Sequence, residues 1–250
     1  MTDPFDLSGR RVLITGSSRG IGAALALALA GRGARVAVHG RVAGVELDAM
    51  TAKLGGQGVA LAADLADAGA CRDLARRAQD ALGGVDILVL NASYEVRGDW
   101  RAVSVEDIDQ QMAVNFRSSL VLCQALAPAM AERGWGRIIG LGSIQEVKPN
   151  PALLVYAAAK AAQANMMANL ARELGPSGVT VNTLSPGAIA TDRNAGALSD
   201  PAYRQKVEAQ IPAGRIGQPD DCVGACLLLA SDAGAYVNGA VLRVDGGWSL

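Results

Sequence analysis

Arg10-Arg11-Val12-Leu13-Ile14-Thr15-Gly16-Ser17-Ser18-Arg19-Gly20-Ile21-Gly22, followed directly by AALALALA, is the stretch that decides the fold. The apolar run ending at Thr15 predicts a buried strand, and the alanine–leucine run after Gly22 predicts a helix. Strand, glycine turn and helix in this order make a phosphate-binding candidate, because unpaired N–H groups at a helix start favour an anion there. Gly16 permits a tight turn, Gly20 lets the backbone approach a pyrophosphate, and Gly22 lets the helix pack close to the sheet. The spacing departs from G-x-G-x-x-G, since the glycines fall at the first, fifth and seventh positions. An ordinary glycine-rich βα connection is the competing reading.

Working outward, strands are expected over 35–39, 59–62, 85–90, 137–141, 179–184 and 240–244. Helices are expected over 45–54, 67–82, 104–133, 152–174 and 220–230. The fourth strand is nearly all apolar, as a parallel strand buried on both faces requires. The alternation predicts an α/β fold: a single-domain Rossmann-type doubly wound parallel sheet, in three layers, spanning 1–250. Segment 188–212 lacks clear periodicity, contains Gly196, Pro201 and Pro212, and is expected to be a substrate lid. Ligands of open α/β sheets bind at the carboxyl ends of the strands. Those ends carry Asp64-Leu65, Asn91-Ala92-Ser93, Ser143 and Ser185-Pro186-Gly187. Strand two ends in His39-Gly40-Arg41, with no acid before Glu46 to meet a ribose 2′-hydroxyl. Arg41, together with Arg19, suits a 2′-phosphate, so NADP(H) is the preferred cofactor and NAD(H) the alternative. A solvated loop charge is the other reading of Arg41.

Tyr156-Ala-Ala-Ala-Lys160 lies in a run without Gly or Pro from Ala152 to Leu174. In a helix the phenol and the ammonium share one face, one turn apart. A free phenol has a pKa of about 10. A positive charge ~4 Å away contributes roughly 4 kcal/mol at an effective dielectric of 20, about three pKa units toward phenolate before desolvation. A Tyr so placed exchanges protons near pH 7. Alone, the pattern is short and common, and equally describes a half-buried Tyr beside a solvated Lys.

The chain has 250 residues, half of them apolar, with 30 glycines and a net charge of −1. That is compatible with one large domain. The absence of a basic block argues against nucleic acid as a partner. Residues 1–9 lack an apolar signal core, and the longest apolar stretch, 21–30, is too short for a bilayer. No membrane association is expected, and a cytoplasmic location is. Cys71, Cys123, Cys222 and Cys226 are too sparse for a disulfide scaffold and are expected as core thiols. With one histidine, His39, no metal site is expected.

Thr15-Gly16-x3-Gly20-Ile21-Gly22, Asp64, Asn91-Ala92, Asn115, Ser143, Tyr156-x3-Lys160, Asn182, Pro186-Gly187 and Val244-Asp245-Gly246-Gly247 occur together in this order. In this the whole chain resembles the short-chain dehydrogenases/reductases. The resemblance implies Tyr156 as general acid/base, Lys160 lowering its pKa and holding the nicotinamide ribose, and Ser143 bonding the substrate oxygen. It implies Asn115 as anchor of a proton-relay water. Gly16, Ser18, Arg19, Gly20, Ile21 and Gly22 would hold the pyrophosphate, with Asp64, Leu65, Asn91 and Ala92 on the adenine side. Pro186, Gly187, Ile189 and Thr191 would hold the nicotinamide. Two positions depart from the family pattern: Ser93 stands where a glycine is usual, and Gly40 stands at the ribose-reading position.

The activity implied is interconversion of a small polar ketone or aldehyde with its alcohol, with Ser93, Glu95, Arg97, Gln145 and Glu146 lining the substrate pocket. A 3-oxoacyl-thioester reductase and an NAD-dependent sugar or polyol dehydrogenase share the motifs. A catalytically silent dinucleotide-binding scaffold is the non-enzymatic alternative. The resemblance also implies a homotetramer.

Overall fold

In the computed structural model, which describes residues 3–250, seven strands pair in parallel. They are β1 (Arg11–Ile14), β2 (Arg35–Gly40), β3 (Gly58–Ala62), β4 (Ile87–Leu90), β5 (Gly136–Leu141), β6 (Val179–Pro186) and β7 (Val241–Val244). Their spatial order is β3-β2-β1-β4-β5-β6-β7. The chain leaves β1 toward one edge and returns past it to β4, so a crevice opens between the carboxyl ends of β1 and β4. Ligands of doubly wound sheets collect at such a switch point.

The period of two along each strand sends neighbouring residues to opposite faces. Val12, Ile14, Ile87, Val89 and Ile139 pack under α1 (Gly20–Gly31), α2 (Val45–Lys53) and α9 (Val223–Ala230). Leu13, Leu88, Leu90, Ile138 and Val181 pack under α3 (Ala68–Leu82), α5 (Ser118–Glu132) and α6 (Leu154–Leu174). Each fully buried Leu or Ile contributes about 1.5–3 kcal/mol of apolar burial. The expected three-layer α/β/α sheet is the observed one. The four cysteines are buried and unbridged. Among the described residues no helix is long and apolar enough to cross a membrane.

Two elements differ from expectation. The single helix expected over 104–133 is α4 (Val105–Met112), a π-helical turn over Ala113–Arg117, and α5. Ser104 caps α4 by accepting from Asp107 N–H at 3.0 Å. The widened turn places Asn115, fully buried, where its amide reaches Tyr94 of the loop after β4. Segment 188–212, which lacks legible periodicity, folds into α7 (Asp192–Leu198) and α8 (Pro201–Glu208), the latter capped by Asp200 with Pro201 at its first turn. Val207, Ile211 and Ile216 cluster there with Leu198 and Trp248. Helices this short leave too few turns for a periodic signal.

Candidate active site

The carboxyl ends of the strands enclose a cavity of about 840 Å³. One end of it is built by the glycine turn. Gly16 has φ +63, and a Cβ there would meet Ala92 Cα at 2.8 Å. A Cβ on Gly22 would meet Asn91 Nδ2 and the Gly16 carbonyl oxygen, each at 2.5 Å. Gly20 differs: its φ is +58, and the nearest atom to a built Cβ is the Thr191 methyl at 3.5 Å, on the far side of the cleft. A side chain on residue 20 would therefore close the narrow gap between α1 and Thr191, which bare backbone leaves clear. The N-cap of α1, Arg19, supplies no side-chain cap, and the first turn holds no acid. An uncapped, acid-free helix start beside a gap of this shape fits a pyrophosphate. Asn91 donates to the carbonyls of Thr15 (2.9 Å) and Gly16 (2.7 Å), tying β4 to β1 across the crevice.

His39 holds the same turn from below. Its Nδ1 accepts from Gly16 N–H at 3.0 Å, which leaves the proton on Nε2 to donate to the Ala63 carbonyl, also at 3.0 Å. Burial pulls its pKa down to about 4, so the ring is neutral at pH 7. Arg41 is exposed, lines the cavity beside Gly40, and takes part in no ion pair among those described. Arg19 pairs only loosely with Glu46, at 3.8 Å between two exposed side chains.

The other end of the cavity holds Ser143, Tyr156 and Lys160. Ser143 caps a short 3-10 turn: its Oγ accepts from Gln145 N–H at 3.2 Å, while Glu146 accepts from Ser143 N–H at 2.7 Å. This fixes the hydroxyl near the Tyr156 phenol, where its hydrogen bond opposes the rise in pKa that burial causes. Lys160, 1% exposed, donates to the Leu141 carbonyl at 2.6 Å and to Gln163 Oε1 at 3.2 Å, and Gln163 Nε2 donates to Ser119 Oγ at 2.8 Å.

The electrostatics correct one expectation. The net shift of the Tyr156 phenol is upward, away from phenolate. Burial dominates both groups: it raises the Tyr156 pKa, and it lowers that of Lys160 to about 7. Lys160 Nζ stands 5.9 Å from the Tyr156 ring centre, with its donors turned to Leu141 and Gln163. A Coulomb estimate at 4 Å without desolvation overstates such a pair.

All the residues expected at the cofactor site border this one cavity, as do Ser93, Glu95, Arg97 and Gln145. Asn115 and Glu146 do not. The Asn115 amide accepts from Tyr94 N–H (3.0 Å) and donates to the Tyr94 carbonyl (2.7 Å), so it shapes the wall from behind. Glu146, expected to line the substrate pocket, instead turns in beneath Ser143, where burial raises its pKa. Ser93 was expected to face the cleft, and its hydroxyl is taken by Arg193 on α7. Arg193, Gln163 and the turn-holding role of His39 were not anticipated. The alanine-rich register of α6 places Gln163 one turn beyond Lys160, a spacing that could have flagged it.

Residues 16–249 match the family described as "Enoyl-(Acyl carrier protein) reductase". The chain is 36% identical over 248 residues to gluconate 5-dehydrogenase of Gluconobacter oxydans, covering 98% of this chain and 96% of that protein. Its fold superposes with a TM-score of 0.93 on a 3-oxoacyl (acyl-carrier-protein) reductase of Agrobacterium tumefaciens C58 solved with NADP bound. That protein is 42% identical, with 98% of this chain and 96% of that one covered. A gluconate 5-dehydrogenase of Burkholderia cenocepacia J2315, solved with NADP and tartrate, gives a TM-score of 0.91 at 35% identity, covering 99% and 98%. With these matches over nearly its full length, the chain belongs to the short-chain dehydrogenase/reductase family of NAD(P)-dependent oxidoreductases acting on CH–OH and C=O groups.

Proposed function

We propose that this protein is an NADP(H)-preferring oxidoreductase interconverting a small polar ketone or aldehyde with its alcohol. The observation that carries the reading is the convergence of Ser143, Tyr156 and Lys160 on the same cavity that the glycine turn borders at its other end. A bound nicotinamide dinucleotide supplies the hydride in reduction and accepts it in oxidation. The chain's own residues handle the oxygen. Ser143, its hydroxyl oxygen already accepting from Gln145 N–H, directs its proton to the substrate oxygen. Tyr156 delivers the proton in reduction and removes it in oxidation. Lys160, with a pKa near neutrality, resupplies Tyr156, while the Asn115 amide, committed to the Tyr94 backbone, holds the cavity wall in place. Arg41 and Arg19 take the 2′-phosphate, and Ile189 and Thr191 flank the nicotinamide.

Alongside apolar Leu153, Leu198 and Val207, four charged or amide side chains border the cavity: Glu95, Arg97, Gln145 and Arg193. This favours a sugar, polyol or oxo acid over a long acyl chain. The Agrobacterium relative's name keeps a 3-oxoacyl-thioester reductase as the second reading. The test is Tyr156→Phe. The variant is expected to bind NADPH like the parent and to lose turnover of polar carbonyl compounds by roughly 10²–10⁴-fold, the usual worth of a positioned acid. Near-parent turnover contradicts the role of Tyr156. Faster reduction of a 3-oxoacyl thioester than of any sugar or oxo acid replaces the substrate reading with the second one.

A further inference from the structure

Arg193, in the first turn of α7, reaches back across the cavity to the loop after β4. Its Nη1 donates to Ser93 Oγ at 2.6 Å and its Nη2 to the Ser93 carbonyl at 2.8 Å. These bonds hold the guanidinium plane and leave further N–H donors of its five uncommitted to Ser93. The other arginine on this side, Arg97, is paired with Glu95 at 3.2 Å, whereas Arg193 takes part in none of the described ion pairs. Arg193 is exposed to the cavity it lines. Of the charges around the reacting end, its charge acts most strongly on both Tyr156 and Lys160. Its neighbour on α7, Asp192, is not among the charges that shift either group.

A planar cation with spare donors and no ion-pair partner among the described residues, standing beside a general acid, is an anion subsite waiting for its partner. It also adds positive charge next to Lys160, a cost that an anionic ligand offsets. The serine that holds it replaces the glycine usual after Asn91-Ala92, and glycine would offer no hydroxyl to Nη1. Resting on the oxidoreductase reading above, we propose that Arg193, held in place by Ser93, is the specificity-determining residue of this site. It binds a carboxylate on the substrate, so that the pair interconverted is a hydroxy acid and its oxo acid.

The test uses the full chain with NADP+ present. Calorimetric titrations compare D-gluconate with sorbitol and L-tartrate with threitol, each pair differing in carboxylate against hydroxymethyl. Initial oxidation rates are taken on the same four compounds. The parent is expected to bind at least one acid about tenfold or more tightly than its polyol, the order of one charge-assisted hydrogen bond. Arg193→Gln is expected to erase that preference, Arg193→Lys to keep part of it, and Ser93→Gly to weaken acid binding several-fold. Equal binding of acid and polyol, binding of neither, or an acid preference that survives Arg193→Gln overturns the proposal. So does Arg193→Gln weakening NADP+ instead of the acids, which would make Arg193 a cofactor contact. Acid binding through Arg193 without turnover of any compound leaves the subsite standing and removes the oxidoreductase reading.

Discussion

Lys160 is buried to 1% exposure, yet its ammonium has no carboxylate partner, only the Leu141 carbonyl and the Gln163 amide oxygen. Burial lowers its pKa to about 7 from the ordinary 10.5, Arg193 adds to the shift and Glu146 opposes it. Between these values the unfolded chain holds a proton that the folded one releases, so stability rises with pH above about 7. One proton of difference sets a slope of at most about 1.4 kcal/mol per pH unit. The protein should therefore resist urea better at pH 8 than at pH 7; the four thiols, which burial raises, ionise in the unfolded chain toward about pH 8.5 and oppose the gain beyond that. Lys160→Met should lose that gain, and an equal gain in the variant contradicts the assignment. The residue types Ser143, Tyr156 and Lys160 and their helical spacing were legible in the sequence. The direction in which Lys160 spends its protons was not, because Leu141 and Gln163 compete for them only in the folded chain. Arg193 was illegible for a similar reason: its partner Ser93 lies 100 residues away.

The π-helical turn over Ala113–Arg117 is the element whose form the sequence hid. An asparagine interrupting an apolar helix face was visible, but the extra residue in the turn depends on a partner outside the helix. That partner is the Tyr94 backbone, both of whose polar groups the Asn115 amide satisfies. Replacing Asn115 with Ala strips both at once, at about 1–3 kcal/mol for each group left unpaired. For a chain of this length each kcal/mol moves Tm by roughly 2–4 °C. Asn115→Ala is thus expected to melt at least about 4 °C lower by calorimetry, with the loop after β4 loosened and kcat/KM reduced. A Tm within about 1 °C of the parent contradicts this role. Strands were more legible: the apolar run at β4 and the strand–turn–helix at β1 and α1 have one reading each. The short α7 and α8 have no such signal, and their position is set by the Val207–Ile211–Ile216 cluster and Trp248, contacts between these helices and the last residues of the chain.

At the scale of the molecule, one sheet order explains why scattered motifs meet. The crevice between β1 and β4 receives the glycine turn, Asn91 and the end of β2, while β5 and β6 bring Ser143 and Pro186-Gly187 alongside. The other edge of the sheet is β7, with exposed Val241 on it and fully exposed Tyr236 and Leu250 elsewhere on the surface. An open edge strand is usually covered, and the family resemblance implies a homotetramer; light scattering is expected to show one, and a monomer at micromolar concentration would contradict that expectation. The cavity joins a dinucleotide half, with Arg41 and without an acid at Gly40, to a half that holds Tyr156. Parallel titration with NADPH and NADH, followed by nicotinamide fluorescence in the parent and in Arg41→Ala, tests this arrangement most directly. The expected result is NADPH binding at least about tenfold tighter in the parent, a difference of about 1.4 kcal/mol, collapsing toward parity in Arg41→Ala. A preference for NADH, or binding of neither nucleotide, contradicts it.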